Sequence, residues 1–214
     1  MLREEAALVN MNVVEPPPAL LAQIKGRYEE LQRAYHSWSH IQALLALYDT
    51  HKGMMRDPTR VLWAIYWHDA VYDPAANDNE VKSAALLREH AKPYLPDARI
   101  VQIEKLILAT IKHEMPENLG FDVARDCAVF LDFDLAIFAA SDEAFDAYEE
   151  GVRKEYAHVP EGAYIAARKA ILERFLARET LYFSPLLARQ WDARARANLK
   201  RSIAKLAAGA APAP

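Results

Sequence analysis

Hydrophobic residues recur every three to four positions along most of the chain, a spacing that places them on one face of an α-helix. The pattern is clearest in residues 20–28, 41–48 and 100–110, and prolines separate the periodic stretches. The 214 residues include six glycines, and no Asn-Gly or Asp-Gly pair marks a β-hairpin. Alanine, leucine, glutamate, arginine and lysine dominate, all of which favour helices. The chain is therefore predicted to be an all-α, single-domain helical bundle.

Capping residues and prolines predict where helices begin. Asp57 precedes Pro58, an N-cap followed by proline at the first helical position, and Ser141 precedes two acidic residues that suit a first turn. We find no internal repeat and no linker long enough to divide the chain. The predicted organisation is an N-terminal arm, one helical domain and a disordered tail, covering residues 1–18, 19–206 and 207–214.

Charge and cysteine content narrow the class of protein. Lys plus Arg is 26 and Asp plus Glu is 30, a net charge of −4 that argues against nucleic-acid binding. The single cysteine, Cys127, cannot form an internal disulfide or a multi-cysteine zinc site, and it fits a reducing compartment. The N-terminus lacks a secretory signal, and the apolar run at residues 61–67 is far too short to span a membrane. We expect a cytoplasmic protein with no membrane partner.

Two histidines, His36 and His40, are spaced four residues apart and would share a face if both lay on one helix. The spacing is that of the zinc proteases. Ser37 stands where those enzymes carry their glutamate base, so the metalloprotease interpretation is rejected.

Ionisable residues also occur inside apolar segments. His68 and Asp69 end the apolar run at residues 61–67, and burying such a pair is costly unless it is paired or binds a metal. Asp132 and Asp134 lie in a second apolar segment, two residues apart, so on a helix only one of them should face a given site. A bound cation would offset the unfavourable free energy of burying these charged carboxylates.

Together these residues supply imidazole and carboxylate ligands from three predicted helices. Such a set suits Mn, Fe, Co, Ni or Zn better than calcium, which prefers oxygen ligands alone. A divalent transition metal held there would leave positions for water and substrate, lower the pKa of that water and polarise a phosphoryl oxygen.

The ordered set of a histidine, a His-Asp pair and a distant aspartate resembles the HD superfamily of metal-dependent phosphohydrolases. The chain is similar to a bacterial group of predicted HD hydrolases of about 200 residues, through Tyr-His-x-x-x-His-Ile, His-Asp-Ala-Val-Tyr-Asp-Pro and Asn-Glu-x-x-Ser-Ala, over about residues 33–182. The resemblance implies the metal ligands His40, His68, Asp69 and Asp134.

Two of these ligands have rivals in the sequence, His36 for His40 and Asp132 for Asp134. Two-metal members of the superfamily carry additional histidines between the His-Asp pair and the last aspartate. Here only His90 and His113 lie in that interval, which favours a single metal.

Catalytic roles are predicted for Asp69, for Glu80 as an acid, base or orienting group, and for His113 as a phosphate ligand or proton donor. Tyr35 and Tyr72 flank the motifs and could line the pocket. The expected substrate is a small phosphorylated molecule, such as a nucleotide, whose charge calls for cationic partners. The candidates for that role are Arg33, Lys112, Arg153 and Arg168.

The resemblance leaves two other functions open. Some HD-type proteins are di-iron oxygenases, which would need further imidazole ligands, and a non-catalytic module could keep the metal or ligand site without turnover. A homodimer is compatible with the sequence, although no motif specifies one.

Overall fold

The computed structural model describes residues 13–209, and within that range the chain forms α-helices and two short 3₁₀ segments without any β-strand. The all-α fold class is thereby confirmed. None of these helices is both long enough and apolar enough to cross a membrane. In chain order the helices are α1 (Pro18–Tyr28), α2 (Trp38–Thr50), α3 (Pro58–Trp67), α4 (Asn79–Ala91), α5 (Asp97–Ala109), α6 (Phe121–Asp134), α7 (Asp142–Glu155), α8 (Glu161–Leu176) and α9 (Pro185–Gly209).

The predicted caps stand at two helix starts. The Asp57 side chain accepts a hydrogen bond from the Arg60 backbone N–H in the first turn of α3, and the Ser141 hydroxyl accepts one from the Ala144 N–H in α7. The C-terminal boundary needs correction, because α9 continues to Gly209, three residues into the predicted tail. Residues 1–12 of the predicted arm and 210–214 of the predicted tail lie outside the described range.

Helix α3 is buried almost all round and forms the centre of the larger hydrophobic cluster. It packs against α2, α5 and α6, and inside it Trp63 and Trp67 stack with their ring centroids 4.8 Å apart. A second cluster joins the 3₁₀ segment Leu135–Ala139 to α7, α8 and α9. Phe133 belongs to the first cluster and Leu135 to the second. Asp134 therefore lies where the two clusters meet.

His36 does not lie on a helix. Helix α2 begins at Trp38, so His36 occupies the turn before it while His40 lies in its first turns. The expectation that these two histidines share a helical face is therefore wrong, and their side chains enter different surroundings.

Candidate metal centre

Four side chains converge at the point where the C-terminal ends of α3 and α6 approach α2. The Nε2 atoms of His40 and His68 lie 3.2 Å apart. The Oδ1 atom of Asp134 is 3.2 Å from Nε2 of His40 and 3.6 Å from Nε2 of His68, and Oδ2 of Asp69 is 3.1 Å from Nε2 of His68. His40, His68 and Asp69 each offer a ligand atom within 4.8 Å of the others. The structure thus groups His40, His68 and Asp69, three of the ligands that the resemblance implies, and it places the carboxylate of the fourth, Asp134, against both histidines.

The spacing of these atoms fits the coordination shell of a transition metal. Bonds from such a metal to imidazole nitrogen or carboxylate oxygen are about 2.0–2.2 Å long, so neighbouring ligand atoms lie about 3.0–3.5 Å apart. The four separations given above all involve a histidine Nε2, and at 3.1–3.6 Å they fall in or next to that range. The candidate ligands are two imidazoles and two carboxylates, a donor set typical of Mn, Fe, Co, Ni or Zn sites. The residues present therefore fit a divalent metal.

His68 is oriented by the end of its own helix. Its Nδ1 lies 3.0 Å from the Ile65 carbonyl oxygen, one of the oxygens that a helix end leaves without an intrahelical partner. Because a carbonyl oxygen can only accept, Nδ1 carries the proton in this contact. In the neutral imidazole Nε2 then presents its lone pair to the cluster, the arrangement usual for a metal-binding histidine.

Asp69 is held through its backbone by two buried side chains. The Arg33 guanidinium donates to the carbonyls of Asp69 at 2.8 Å and Ala70 at 3.3 Å, and the Asp69 N–H donates to the Tyr28 hydroxyl at 3.3 Å. The Arg33 side chain is fully buried. It is therefore a structural clamp on the His-Asp turn and does not serve as the predicted phosphate-binding cation.

Asp134 bridges the ligand cluster and a third histidine. Its Oδ2 lies 2.8 Å from Nε2 of His113, while its Oδ1 faces His40 and His68. His113 adopts a positive φ of 50°, a conformation that non-glycine residues rarely adopt and that ends the turn after α5. The predicted His113 thus contacts a ligand carboxylate.

The rival aspartate, Asp132, points elsewhere. Its two carboxylate oxygens accept hydrogen bonds from the backbone N–H groups of Phe183 and Ser184, both at 2.7 Å. It is buried and ties α6 to the segment that precedes α9. Asp134 is therefore the ligand candidate of the pair.

The pKa values in the cluster follow from burial and close opposite charges. Burial lowers the pKa of His40. Burial has the same effect on His68, but the carboxylates of Asp69 and Asp134 outweigh it and raise the pKa of His68 to about 9, so a metal bound there would displace the Nε2 proton. Burial would raise the pKa of both acids, yet His68 holds each of them below its ordinary value, and His113 adds to the effect on Asp134. Both carboxylates are thus ionised at neutral pH and available as ligands.

The rival histidine, His36, lies outside the cluster. Its Nδ1 is 2.7 Å from Oε2 of Glu155, the last residue of α7, and its ring centroid is 6.2 Å from that of His40. The geometry therefore favours His40 as the ligand. The contact also identifies Glu155, a buried carboxylate that sequence reasoning missed because the two partners are 119 residues apart.

A cavity of about 430 Å³ opens beside the cluster. Asp69, Asp134 and His113 border it, and so does Glu80, at the start of α4. Glu80 is half-buried, and its role as an acid, base or orienting group stays a prediction. The volume is that of a small-molecule site. Other polar and aromatic residues in the wall are Tyr35, His36, Tyr72, Asn77, Tyr148 and Phe175.

Of the predicted cations, Arg168 alone lines this cavity. It is buried, and its guanidinium donates to the Glu149 carboxylate and, at 2.6 Å, to the Tyr148 hydroxyl. Arg153 instead donates to backbone carbonyls beyond the end of α7, and Lys112 is exposed away from the cavity. Arg174, which sequence reasoning did not single out, is an exposed cation at the cavity wall.

Comparisons of the chain with protein-family models, with curated proteins and with solved structures found no match.

Proposed function

We propose that the protein is a metal-dependent phosphohydrolase of the HD type that acts on a small phosphate ester. The observation that carries the proposal is the convergence of His40, His68, Asp69 and Asp134 at metal-ligand spacing beside a small-molecule cavity. A divalent metal held by these residues would polarise a phosphoryl oxygen and lower the pKa of a water molecule. The superfamily resemblance in the sequence supports the same ligand set.

The charges around the cavity favour a substrate with one phosphate group. Arg168 and Arg174 are the arginines among the described residues of the wall, and Arg168 is already neutralised by Glu149. The wall also carries the carboxylates of Asp69, Glu80 and Asp134. A chain of several phosphates would need more cationic contacts than this wall supplies.

The apolar part of the wall suits the organic group of such an ester. Phe138, Ile171 and Phe175, from the 3₁₀ segment and α8, line part of the cavity. An aromatic or aliphatic group packed there would bury apolar surface while its phosphate faces the ligand cluster.

A single metal is supported by the partners of the remaining histidines near the site. His36 is engaged by Glu155, and His113 by Asp134. His90 accepts a hydrogen bond from the Trp67 indole and does not border the cavity. A di-iron centre would need two or more of these imidazoles as further ligands.

The test is metal content followed by turnover. The protein purified without chelator should hold about one divalent metal per chain by elemental analysis, and it should hydrolyse members of a phosphate monoester panel supplemented with Mn, Fe, Co, Ni or Zn. Asp69→Ala should lose both properties. Asp78→Ala is the matched control, since within residues 13–209 that carboxylate pairs with Lys82 alone and makes no capping bond to α4.

Each other result has a defined meaning. Full activity of Asp69→Ala with no bound metal would refute the proposal. Two irons per chain would favour the oxygenase alternative, and metal binding without turnover of any ester would favour a non-catalytic module.

A further inference from the structure

Glu155 is a buried carboxylate that receives five hydrogen bonds. Its Oε1 accepts hydrogen bonds from the consecutive backbone N–H groups of Ala34, Tyr35 and His36 at 2.7–2.9 Å. Its Oε2 accepts the Tyr72 hydroxyl and Nδ1 of His36, both at 2.7 Å. A negative charge at the C-terminal end of a helix opposes the helix dipole, so these donors are needed to hold it there.

This arrangement fixes the His36 ring in one orientation. The ring lies 4.6 Å from the Tyr72 ring at an interplanar angle of 31°, and 5.0 Å from the Tyr35 ring at 82°. Two aromatic neighbours and one carboxylate therefore define its position. Such locking is what a binding group needs to act without reorganisation.

The other edge of the His36 ring remains available to a ligand. Nδ1 is taken by Glu155, and among the hydrogen bonds of residues 13–209 none engages Nε2. The side chain is 25% exposed, and it borders the cavity that Asp69 and Asp134 also border. A carboxylate on Nδ1 stabilises the imidazolium form, whose Nε2–H is a strong donor to an anionic oxygen.

We propose that His36 is a substrate-binding residue that donates a hydrogen bond from Nε2 to a phosphoryl oxygen, and that Glu155 is the residue that positions it. The inference rests on the proposed function, because it assumes that the phosphate of the substrate enters the cavity beside the ligand cluster. It assigns to His36 a role other than that of metal ligand, and it gives the cavity a cationic contact besides its arginines.

The test measures binding of inorganic phosphate, the product of the proposed reaction, to the metal-loaded full chain by isothermal titration calorimetry. His36→Asn is the sharp variant, because the asparagine amide can replace Nδ1 as a donor to Glu155 but leaves nothing at the position of Nε2. His36→Gln is the second variant, with an amide that extends towards Nε2. The matched control is His158→Gln, an exposed histidine away from the cavity.

We expect His36→Asn to retain its metal and its cooperative unfolding while binding phosphate about 10-fold or more weakly, the loss typical of a charge-assisted hydrogen bond. His36→Gln should bind phosphate better than His36→Asn but more weakly than the unaltered protein, because its amide carries no charge, and His158→Gln should match the unaltered protein. If His36→Asn does not fold, a loss of affinity in His36→Gln supports the proposal and an unchanged affinity overturns it.

Three results would overturn the inference. Unchanged phosphate affinity in a folded His36→Asn would mean that the ring serves only as a hydrogen-bond partner of Glu155. Loss of metal in that variant would make His36 a ligand. Absence of phosphate binding by the unaltered, metal-loaded protein would remove the assumed site, whereas absence of metal from that protein would refute the proposed function itself.

Discussion

Asp132 and Asp134 lie two residues apart at the end of α6, and their carboxylates contact different parts of the protein. Asp132 accepts hydrogen bonds from the backbone N–H groups of Phe183 and Ser184, whereas Oδ1 of Asp134 lies 3.2 Å from Nε2 of His40. The two acids stand in similar apolar sequence, and both are more than half-buried. Their variants should therefore separate a structural carboxylate from a ligand carboxylate.

Asp134→Asn should lose the metal, because a neutral amide is a poor ligand for a divalent cation. Asp132→Asn should keep the metal but lose about 1–3 kcal/mol of unfolding free energy, since a neutral amide accepts weaker hydrogen bonds than a carboxylate. The measurements are elemental analysis and chemical denaturation of both proteins. Loss of metal from Asp132→Asn with retention in Asp134→Asn would reverse the assignment.

His113 should set the affinity of the metal through Asp134. Its Nε2 lies 2.8 Å from the Asp134 oxygen that faces away from the ligand cluster. Partners of ligand side chains typically contribute 10- to 100-fold to metal affinity. His113→Asn tolerates the positive φ at this position but is too short to reach the carboxylate, so it removes the contact without new backbone strain.

We expect His113→Asn to bind metal about 10- to 100-fold more weakly in competition with a chelator. Its unfolding free energy in the absence of metal should change by less than its metal affinity does. Unaltered metal affinity would show that Asp134 is oriented by its helix alone.

The helical fold was predictable from sequence, and so were the residues that could hold a metal, because both kinds of signal are local. Prolines and caps mark the helix starts, as at Asp57 and Ser141, and the His-Asp pair stands out because it ends an intensely apolar run. The choice between Asp132 and Asp134 was left open, since alternation on a helix shows that two residues diverge but not which one meets the site.

The His36–Glu155 contact could not be predicted, because it depends on how α7 packs against a turn far away in sequence. Gly151 allows that approach: a Cβ added there would lie 3.1 Å from Cβ of Tyr35. One helical turn later, this proximity brings Glu155 beneath the N–H groups of the turn. Nothing in the charged sequence around Glu155 marks it as buried.

Glu155 should make the protein sensitive to acid. Burial opposes its ionisation, but hydrogen bonds from His36 and Tyr72 prevail and lower the pKa of Glu155 to about 2. A folded-state pKa below the ordinary 4.5 means that the stabilisation is complete above about pH 4.5 and is lost as the pH falls towards 2. The difference corresponds to about 3 kcal/mol.

The measurement is the unfolding free energy of the unaltered protein and of Glu155→Gln between pH 7 and pH 3. The variant should be less stable at pH 7, and the gap between the two proteins should narrow as the pH falls below about 4.5. Comparing the two proteins cancels the titration of the other carboxylates. If the unfolding free energies of the two proteins changed in parallel with pH, the lowered pKa of Glu155 would be contradicted.

The last prediction concerns Arg33, whose buried guanidinium connects the turn before α2 to the backbone of Asp69. It donates to the carbonyls of His36, Asp69 and Ala70, and a lysine ammonium cannot reproduce that planar set of donors. Arg33→Lys should therefore lower the unfolding free energy by about 2–3 kcal/mol and also weaken metal binding.

Arg88→Lys is the matched control, because Arg88 is 42% exposed and its partner is the Glu104 carboxylate, with which a lysine ammonium can also form an ion pair. Its stability should change by less than about 1 kcal/mol, since ion pairs with an exposed member contribute about that much or less. Denaturation curves and metal affinities of both variants decide the matter. If Arg33→Lys behaves like Arg88→Lys in both assays, the guanidinium does not hold the His-Asp turn, and the geometry of Asp69 must be maintained by α3 and the Tyr28 hydroxyl.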